Sequence, residues 1–219
     1  MHTPKKFRQE NVEELIALVQ SCPFASLVVN SDEGVDAMHL PMVLKQCESK
    51  LFLQGHIAKA NSVWKKLISG SQVLAIFNGP NCYISPNHYP TKMIDSKAVP
   101  TWNYVVVHCK GLVSFKHDPD WLYVHISELT DAHESGANKP WAVSDAPADY
   151  IEKMLSAIVG VEIEVNSIVG KWKLSQNQVP ENQKGVVTGL SESDDPMAKQ
   201  IAALVACLLY TSPSPRDRG

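Results

Sequence analysis

The sequence lacks the features that mark several large classes of protein. No apolar run is long enough to cross a bilayer, and the N-terminal stretch MHTPKKFRQENVEEL has no apolar core of the kind a signal peptide carries. The five cysteines are odd in number and scattered, without a C-x-x-C pair, which is typical of reduced thiols and not of a disulfide framework or a zinc site. These absences predict a cytoplasmic protein with no membrane segment and no metal site.

The chain also lacks an excess of positive charge. Its 20 lysines and arginines are outnumbered by 23 acidic residues, for a net charge of −3. A broad surface for nucleic acid needs clustered cations, so the composition argues against one and leaves only a local basic patch. The segment PKKFR near the start is a candidate patch, although a solvated lead-in to the first helix fits it as well. No segment reads as a helix-turn-helix.

What is present indicates a globular protein, with 44% hydrophobic and 20% charged residues. Strand patterns cluster in the first half of the chain and return once near the end, with helical patterns between them. That order favours a mainly β fold with flanking helices (α+β), built on an antiparallel barrel, over repeated βαβ units. We expect one domain over residues 1–206. The last residues, 207–219 (CLLYTSPSPRDRG), lose helical periodicity and predict a disordered or non-native tail.

The strand VPTWNYVVVH has two different faces. Period-two alternation places Asn103 with small residues on one face, which suits the inside of a small barrel. It places Trp102 and Tyr104 on the other face, where large amphipathic rings suit either an interface, a ligand or a covering helix. The residues alone leave core and binding site about equally favoured.

Two further segments could hold an anion. GHIAKAN joins a strand to a helix N-terminus, where free N–H groups, His56, Lys59 and Asn61 could cradle a phosphate; a capped helix with an exposed lysine is the commoner reading. GKWKLSQN places Lys171, Lys173 and Ser175 on one side of a strand end, which suits a phosphate or carboxylate, and equally suits a solvated edge strand.

Taken in order, the segments MHTPKKF, HLP, GHIAKAN, CYISPNHYP, VPTWNYVVVH, LTDAHE, PWAVSDAP, IVGVEIEV and GKWKLSQN resemble the PaiB-like family of FMN-binding negative transcriptional regulators. The resemblance covers residues 1–190. It implies an FMN-binding split β-barrel, a homodimer with FMN at the subunit interface, and a repressor that contacts promoter DNA. It also implies flavin contacts in the matching motifs, from His56, Lys59, Asn61, Trp102, Asn103, Lys173, Gln176 and Asn177.

Two other functions also fit the sequence. The resemblance also fits an FMN-dependent oxidoreductase of the pyridoxamine-phosphate-oxidase-like superfamily, although no catalytic acid or base stands out and enzymatic activity is undecided. Some split-barrel relatives bind haem in place of flavin, and the candidate iron ligands would be histidines: His39, His56, His88, His108 and His133.

Overall fold

The computed structural model describes residues 1–211, with side chains described through residue 209. This part of the chain forms two compact units. Unit 1 comprises residues 1–12, 78–107 and 169 onward, and unit 2 comprises residues 13–77 and 108–168. A single domain over 1–206 stays a prediction.

The strands follow the predicted clusters closely. They are β1 (Arg8–Gln9), β2 (Phe24–Ser31), β3 (Gly34–Pro41), β4 (Val43–Cys47), β5 (Lys50–Ala58), β6 (Gln72–Ile84), β7 (Thr101–Lys116) and β8 (Ile158–Lys173). The helices are α1 (Val12–Ser21), α2 (Val63–Lys66), α3 (Lys92–Asp95), α4 (Pro119–Glu134), α5 (Ala148–Ser156), α6 (Pro180–Ser191) and α7 (Pro196–Thr211). Short 3-10 turns lie at Lys5–Phe7, Pro86–His88 and Val143–Asp145.

The strands join one sheet in the order β3-β2-β6-β7-β8-β5-β4, and β1 adds to β8. The pairs whose register is known are antiparallel: β2 with β3 and β6, β5 with β4 and β8, and β1 with β8. Because strands neighbouring in the sheet are mostly distant in the chain, the sheet is held by long-range pairing, which sequence patterns do not reveal. The predicted α+β class is confirmed.

Alternation along β7 sorts its side chains as the sequence predicts. Asn103, Val105, Val107 and Cys109 are at most 2% exposed, whereas Trp102 on the other face is 49% exposed. Small residues fill the inside of the sheet, because space there is limited. The first residues of β7 therefore present an aromatic ring outward and a buried amide inward.

Two local predictions from the sequence are wrong: that NGPN ends a strand, and that α5 begins at Ser144 or Asp145. The segment NGPN does not break the strand, because β6 runs unbroken through it; β2 pairs with β6 only at Leu74–Ile76, so Pro80, which has no N–H, interrupts no bond of that ladder. Helix α5 begins after Pro147 and not after Ser144 or Asp145. Asp145 ends a 3-10 turn, where its carboxylate accepts from the backbone N–H of Ala142 at 3.0 Å.

The end of the chain differs in part from the expected tail. Helix α7 continues to Thr211, so residues 207–211 are helical, while the rest of the predicted tail lies outside the described residues. Within residues 1–211 no helix combines the length and the apolar character needed to span a membrane.

Candidate functional site

The predicted site residues fall into two clusters. Trp102, Asn103, Lys173, Gln176 and Asn177 lie in unit 1, at the start of β7 and the end of β8. His56, Lys59 and Asn61 lie in unit 2, at the end of β5. We call these the β7–β8 cluster and the β5 cluster.

Lys173 is the centre of the β7–β8 cluster. Its ammonium donates to the hydroxyl of Thr101 at 2.6 Å and to the carbonyl oxygen of Trp102. An ammonium has three N–H donors, so one remains for a ligand. Burial, and then the charge of Lys171, lower the pKa of Lys173. A bound anion would offset both effects, because a negative charge nearby stabilises the charged form of the lysine. This lysine is therefore a suitable anchor for a phosphate.

An exposed aromatic pair lies beside this lysine in unit 1. The ring of Trp102 meets Tyr83 edge-on, with centroids 6.1 Å apart, and both side chains are about half exposed. The indole Nε1–H donates to Asn81 Oδ1 at 3.2 Å, which fixes the orientation of the ring. A half-exposed indole held in one position can stack with a planar ligand.

Asn103 and Ser175 tie the two strand ends together from the inside. The amide of Asn103 donates to Ser175 Oγ at 2.9 Å, and neither residue is more than 2% exposed. The chain turns at Ser175, whose φ of 63° lies in the left-handed region, and so its side chain points inward and not to the lysine side as predicted. Asn103 thus holds the site in shape from within the core.

The two remaining residues of the β7–β8 cluster differ in their freedom. Gln176 accepts from the N–H of Leu174 and donates to the carbonyl of Trp172, both at 2.7 Å, so its amide closes its own turn. Asn177 is exposed. The assignment of both to flavin stays a prediction.

In the β5 cluster, the lysine and the asparagine make local contacts. Asn61 Oδ1 accepts from the N–H of Val63 at 3.1 Å, which satisfies the start of α2, a helix of only four residues. Lys59 is exposed, and its ammonium donates to the carbonyl of Ser156 at 3.3 Å. So short a helix has little dipole, and the predicted phosphate cradle at its N-terminus gains no support.

His56 has a partner that sequence reasoning missed. Its Nδ1 lies 3.1 Å from Nε2 of His125, a residue of α4 that is 1% exposed. Helical spacing was the available signal, because Leu122, His125 and Leu129 form one stripe of α4, and a histidine in a buried stripe needs a polar partner.

Comparisons with known proteins place the chain in a family. Residues 1–167 match the family described as "Putative FMN-binding domain". The chain belongs to this FMN-binding family. It is 31% identical to the protease synthase and sporulation protein PAI 2 of Bacillus subtilis, over 94% of this chain and 96% of that protein. An uncharacterized protein of Emericella nidulans is 32% identical, over 78% of this chain and 81% of its own length.

Two solved structures share the fold of this FMN-binding family member. The flavocytochrome Anf3 of Azotobacter vinelandii matches with a TM-score of 0.56 at 13% identity, over 78% of this chain and 72% of that chain. The FAD and haem binding protein of Mycobacterium smegmatis matches with a TM-score of 0.54 at 14% identity, over 76% and 73%. These likenesses confirm the predicted split-barrel fold, and the family confirms the PaiB-like resemblance and FMN as its cofactor.

Proposed function

We propose that this chain binds FMN at the β7–β8 cluster. The observation that carries the proposal is the position of the Lys173 ammonium, bonded to Thr101 Oγ1 at 2.6 Å and to the carbonyl of Trp102, whose half-exposed ring is held by Asn81. A cation beside a fixed aromatic face matches a phosphate joined to a planar flavin. When bound, FMN supplies redox chemistry, while the residues here bind and orient it.

Replacing Lys173 with methionine should weaken FMN binding about tenfold or more and leave riboflavin binding unchanged. Methionine keeps much of the length of the side chain but removes the charge, and only FMN carries the phosphate that the charge would bind; tenfold corresponds to about 1.4 kcal/mol. Fluorescence titration with each flavin measures the effect. The control is Lys184→Met, at an exposed position of α6. Equal losses for FMN and riboflavin would contradict the phosphate assignment.

The absorption spectrum of the purified protein tests the cofactor itself. Once unbound ligand has been removed by gel filtration, we expect the protein to keep the two visible flavin bands after incubation with FMN and to show no Soret band after incubation with haem. A Soret band without flavin uptake would instead favour the haem alternative, for which His39, His56, His88, His108 and His133 are the candidate ligands. Of these, His39 has its Nδ1 3.0 Å from Ser26 Oγ, and His56 is paired with His125.

We further propose that the protein is a homodimer. Unit 1 exposes a set of large apolar side chains that water solvates poorly, and a second copy of the chain could cover them. They are Tyr83, Met93, Ile94, Val99 and Trp102. Light scattering should then give twice the chain mass of 24.2 kDa.

We also propose that the protein is located in the cytoplasm. Its five free cysteines agree with a reducing compartment.

A second function, transcriptional regulation through DNA binding, is favoured by the pairing of β1 with β8. This pairing sets Arg8 opposite Lys171 and so brings PKKFR to the lysines of GKWKLSQN. Residues 1–9 and 169–180 hold five of the 20 lysines and arginines and none of the 23 acidic residues. Phosphate neutralisation needs this kind of clustered charge, so we propose the basic strip of Lys5, Lys6, Arg8 and Lys171 as a DNA-contacting surface.

Replacing Lys5 and Lys6 together with alanine should weaken duplex DNA binding at least about tenfold. Each lost phosphate contact should also lower the slope of log affinity against log salt by about one, hence by about two for the pair. Gel shifts with a random-sequence duplex library over a salt series measure both quantities. The control replaces the exposed Lys184 and Lys199 together. Equal losses in both double variants, or no sequence enriched from the library, would refute a specific regulator.

A further inference from the structure

Unit 2 contains a histidine pair beneath helix α4 that the proposed function does not use. Nδ1 of His56, on β5, lies 3.1 Å from Nε2 of His125, on α4. His56 is half-buried, while His125 is 1% exposed. The two rings meet edge-on, with centroids 5.3 Å apart at an interplanar angle of 70°. This geometry is that of a hydrogen bond between imidazoles.

The position of the His125 ring is fixed by its surroundings. Trp121, one turn earlier on α4, stacks on it with a centroid distance of 5.4 Å and an interplanar angle of 22°. Trp121 in turn lies on the backbone of Gly160, where an added Cβ would be 2.3 Å from Cζ3 of the indole. Gly160 is the β8 residue opposite His56. Both imidazoles are thus anchored to the same point of the sheet.

Only one ring nitrogen of His125 has a partner. Its Nδ1 is buried and makes no hydrogen bond among the described residues. A neutral imidazole carries one N–H and one lone pair, so the orphaned Nδ1 bears either a buried N–H or a buried lone pair. A buried N–H without a partner is rarer and costlier than an under-used acceptor. This asymmetry favours the tautomer in which His125 carries its proton on Nε2 and donates it to His56 Nδ1.

The charges around the pair agree with neutral rings. Burial lowers the pKa of His56, and burial, then His56, then Lys45 lower the pKa of His125 to about 4. Lys45 of β4 is itself ion-paired with Glu128 of α4. Glu162 of β8 is engaged by Gln54 and Lys116, at 2.7 Å and 2.8 Å. No carboxylate in the described residues is bonded to either imidazole.

We propose that His125 is a positioning residue that fixes His56 as the Nε2–H tautomer. Because His56 Nδ1 accepts from His125, the one proton of neutral His56 must reside on Nε2, and that nitrogen makes no hydrogen bond within residues 1–211. His56 thus presents a donor of fixed direction. It fits an acceptor oxygen of a ligand, such as a phosphate, carbonyl or hydroxyl oxygen.

The decisive measurement is long-range nitrogen–proton NMR of the histidine rings in the flavin-free protein. In the wild type we expect His56 with its proton on Nε2 and an unprotonated Nδ1. In His125→Phe, which keeps an aromatic ring but has no donor, His56 should become a mixture of tautomers. In His125→Gln, whose amide can donate in place of the imidazole, the Nε2–H form should return.

Three outcomes overturn the proposal, and one of them needs no variant. A wild-type His56 that carries its proton on Nδ1 refutes it even if His125→Phe fails to fold. An unchanged tautomer in His125→Phe refutes the role of His125, and so does a mixture that His125→Gln does not reverse.

FMN titration separates this proposal from the proposed function. If the wild type shows the Nε2–H tautomer but takes up no FMN, the proposed function fails and the tautomer assignment stands. If it binds FMN while His56 is protonated on Nδ1, the assignment fails and the flavin proposal stands.

Discussion

Acidification from pH 6.5 to pH 4 is expected to remove about 3 kcal/mol of folding stability through His125 alone. Burial, with the nearby His56 and Lys45, lowers the pKa of His125 to about 4 from an ordinary value of 6.5. The folded state therefore binds fewer protons than the unfolded state between these values, and stability rises with pH across the window. The contribution of His125 to the free energy of unfolding is complete above pH 6.5, and it is lost as the pH falls from 6.5 to 4. Each pKa unit corresponds to about 1.4 kcal/mol.

Urea denaturation at intervals between pH 4 and pH 8 measures this effect. The variant His125→Phe should show a flatter pH dependence than the wild type, because it lacks the more deeply buried of the two imidazoles under α4. Exposed carboxylates titrate in both proteins, so the difference between the two curves reports the loss of His125 and its pairing with His56. His117→Gln, at an exposed position, serves as the control. Parallel curves for the wild type and His125→Phe would contradict the prediction.

The sequence predicts the scaffold of the candidate site well, because that scaffold rests on local patterns. Alternation along β7 separates the buried Asn103 from the half-exposed Trp102, as the structure confirms. The pair Asp118–Pro119 also predicts a helix start, with a capping residue followed by proline at the first helical position. The structure confirms it, since the Asp118 carboxylate accepts from the N–H of Asp120 at the start of α4. These features depend on residues a few positions apart, which period and capping rules describe.

What the sequence does not predict depends on residues far apart in the chain. His56 and His125 are 69 positions apart, and Lys173 and Thr101 are 72 apart, so no periodic pattern links them. The family resemblance singles out His56 and Lys173, yet it does not indicate that each is oriented by a partner. The structure thus adds the orientation of these two side chains, which the sequence does not predict.

The sequence does not predict helix α6, because two glycines weaken its helical signal. Gly185 and Gly189 are four positions apart and so lie on one face of the helix. Both approach the 3-10 turn at Pro86–His88: an added Cβ would lie 2.0 Å from the carbonyl oxygen of His88 at Gly185, and 2.0 Å from Nδ1 of His88 at Gly189. The two glycines that weaken the helical signal are therefore also the residues that allow this helix to contact the turn.

Replacing Gly185 with alanine should therefore destabilise the protein by about 2 kcal/mol. Helix propensity alone predicts the opposite, because alanine in a helix interior is favoured over glycine by about 1 kcal/mol. The new methyl group, however, would overlap the backbone oxygen of His88 and press on Pro90 Cδ at 2.8 Å, and overpacking costs about 1–3 kcal/mol or more. Backbone atoms cannot turn aside as a flexible side chain can, so we expect the overlap to outweigh the gain in propensity.

Urea denaturation at pH 7 compares Gly185→Ala with Thr188→Ala, an exposed position of the same helix where the substitution should change stability by less than about 0.5 kcal/mol. Both substitutions raise the intrinsic helix propensity of α6, so a loss of stability in Gly185→Ala alone can be assigned to the contact with His88.

The turn at His88 is joined to α6 a second time, through Thr91, whose hydroxyl donates to Asn182 Oδ1 at 3.0 Å. The double variant Thr91→Val/Gly185→Ala should therefore lose less stability than the sum of the losses in the two single variants, since both substitutions weaken the same contact. A Gly185→Ala protein more stable than the wild type would show that α6 is held by its own propensity and not by this close approach.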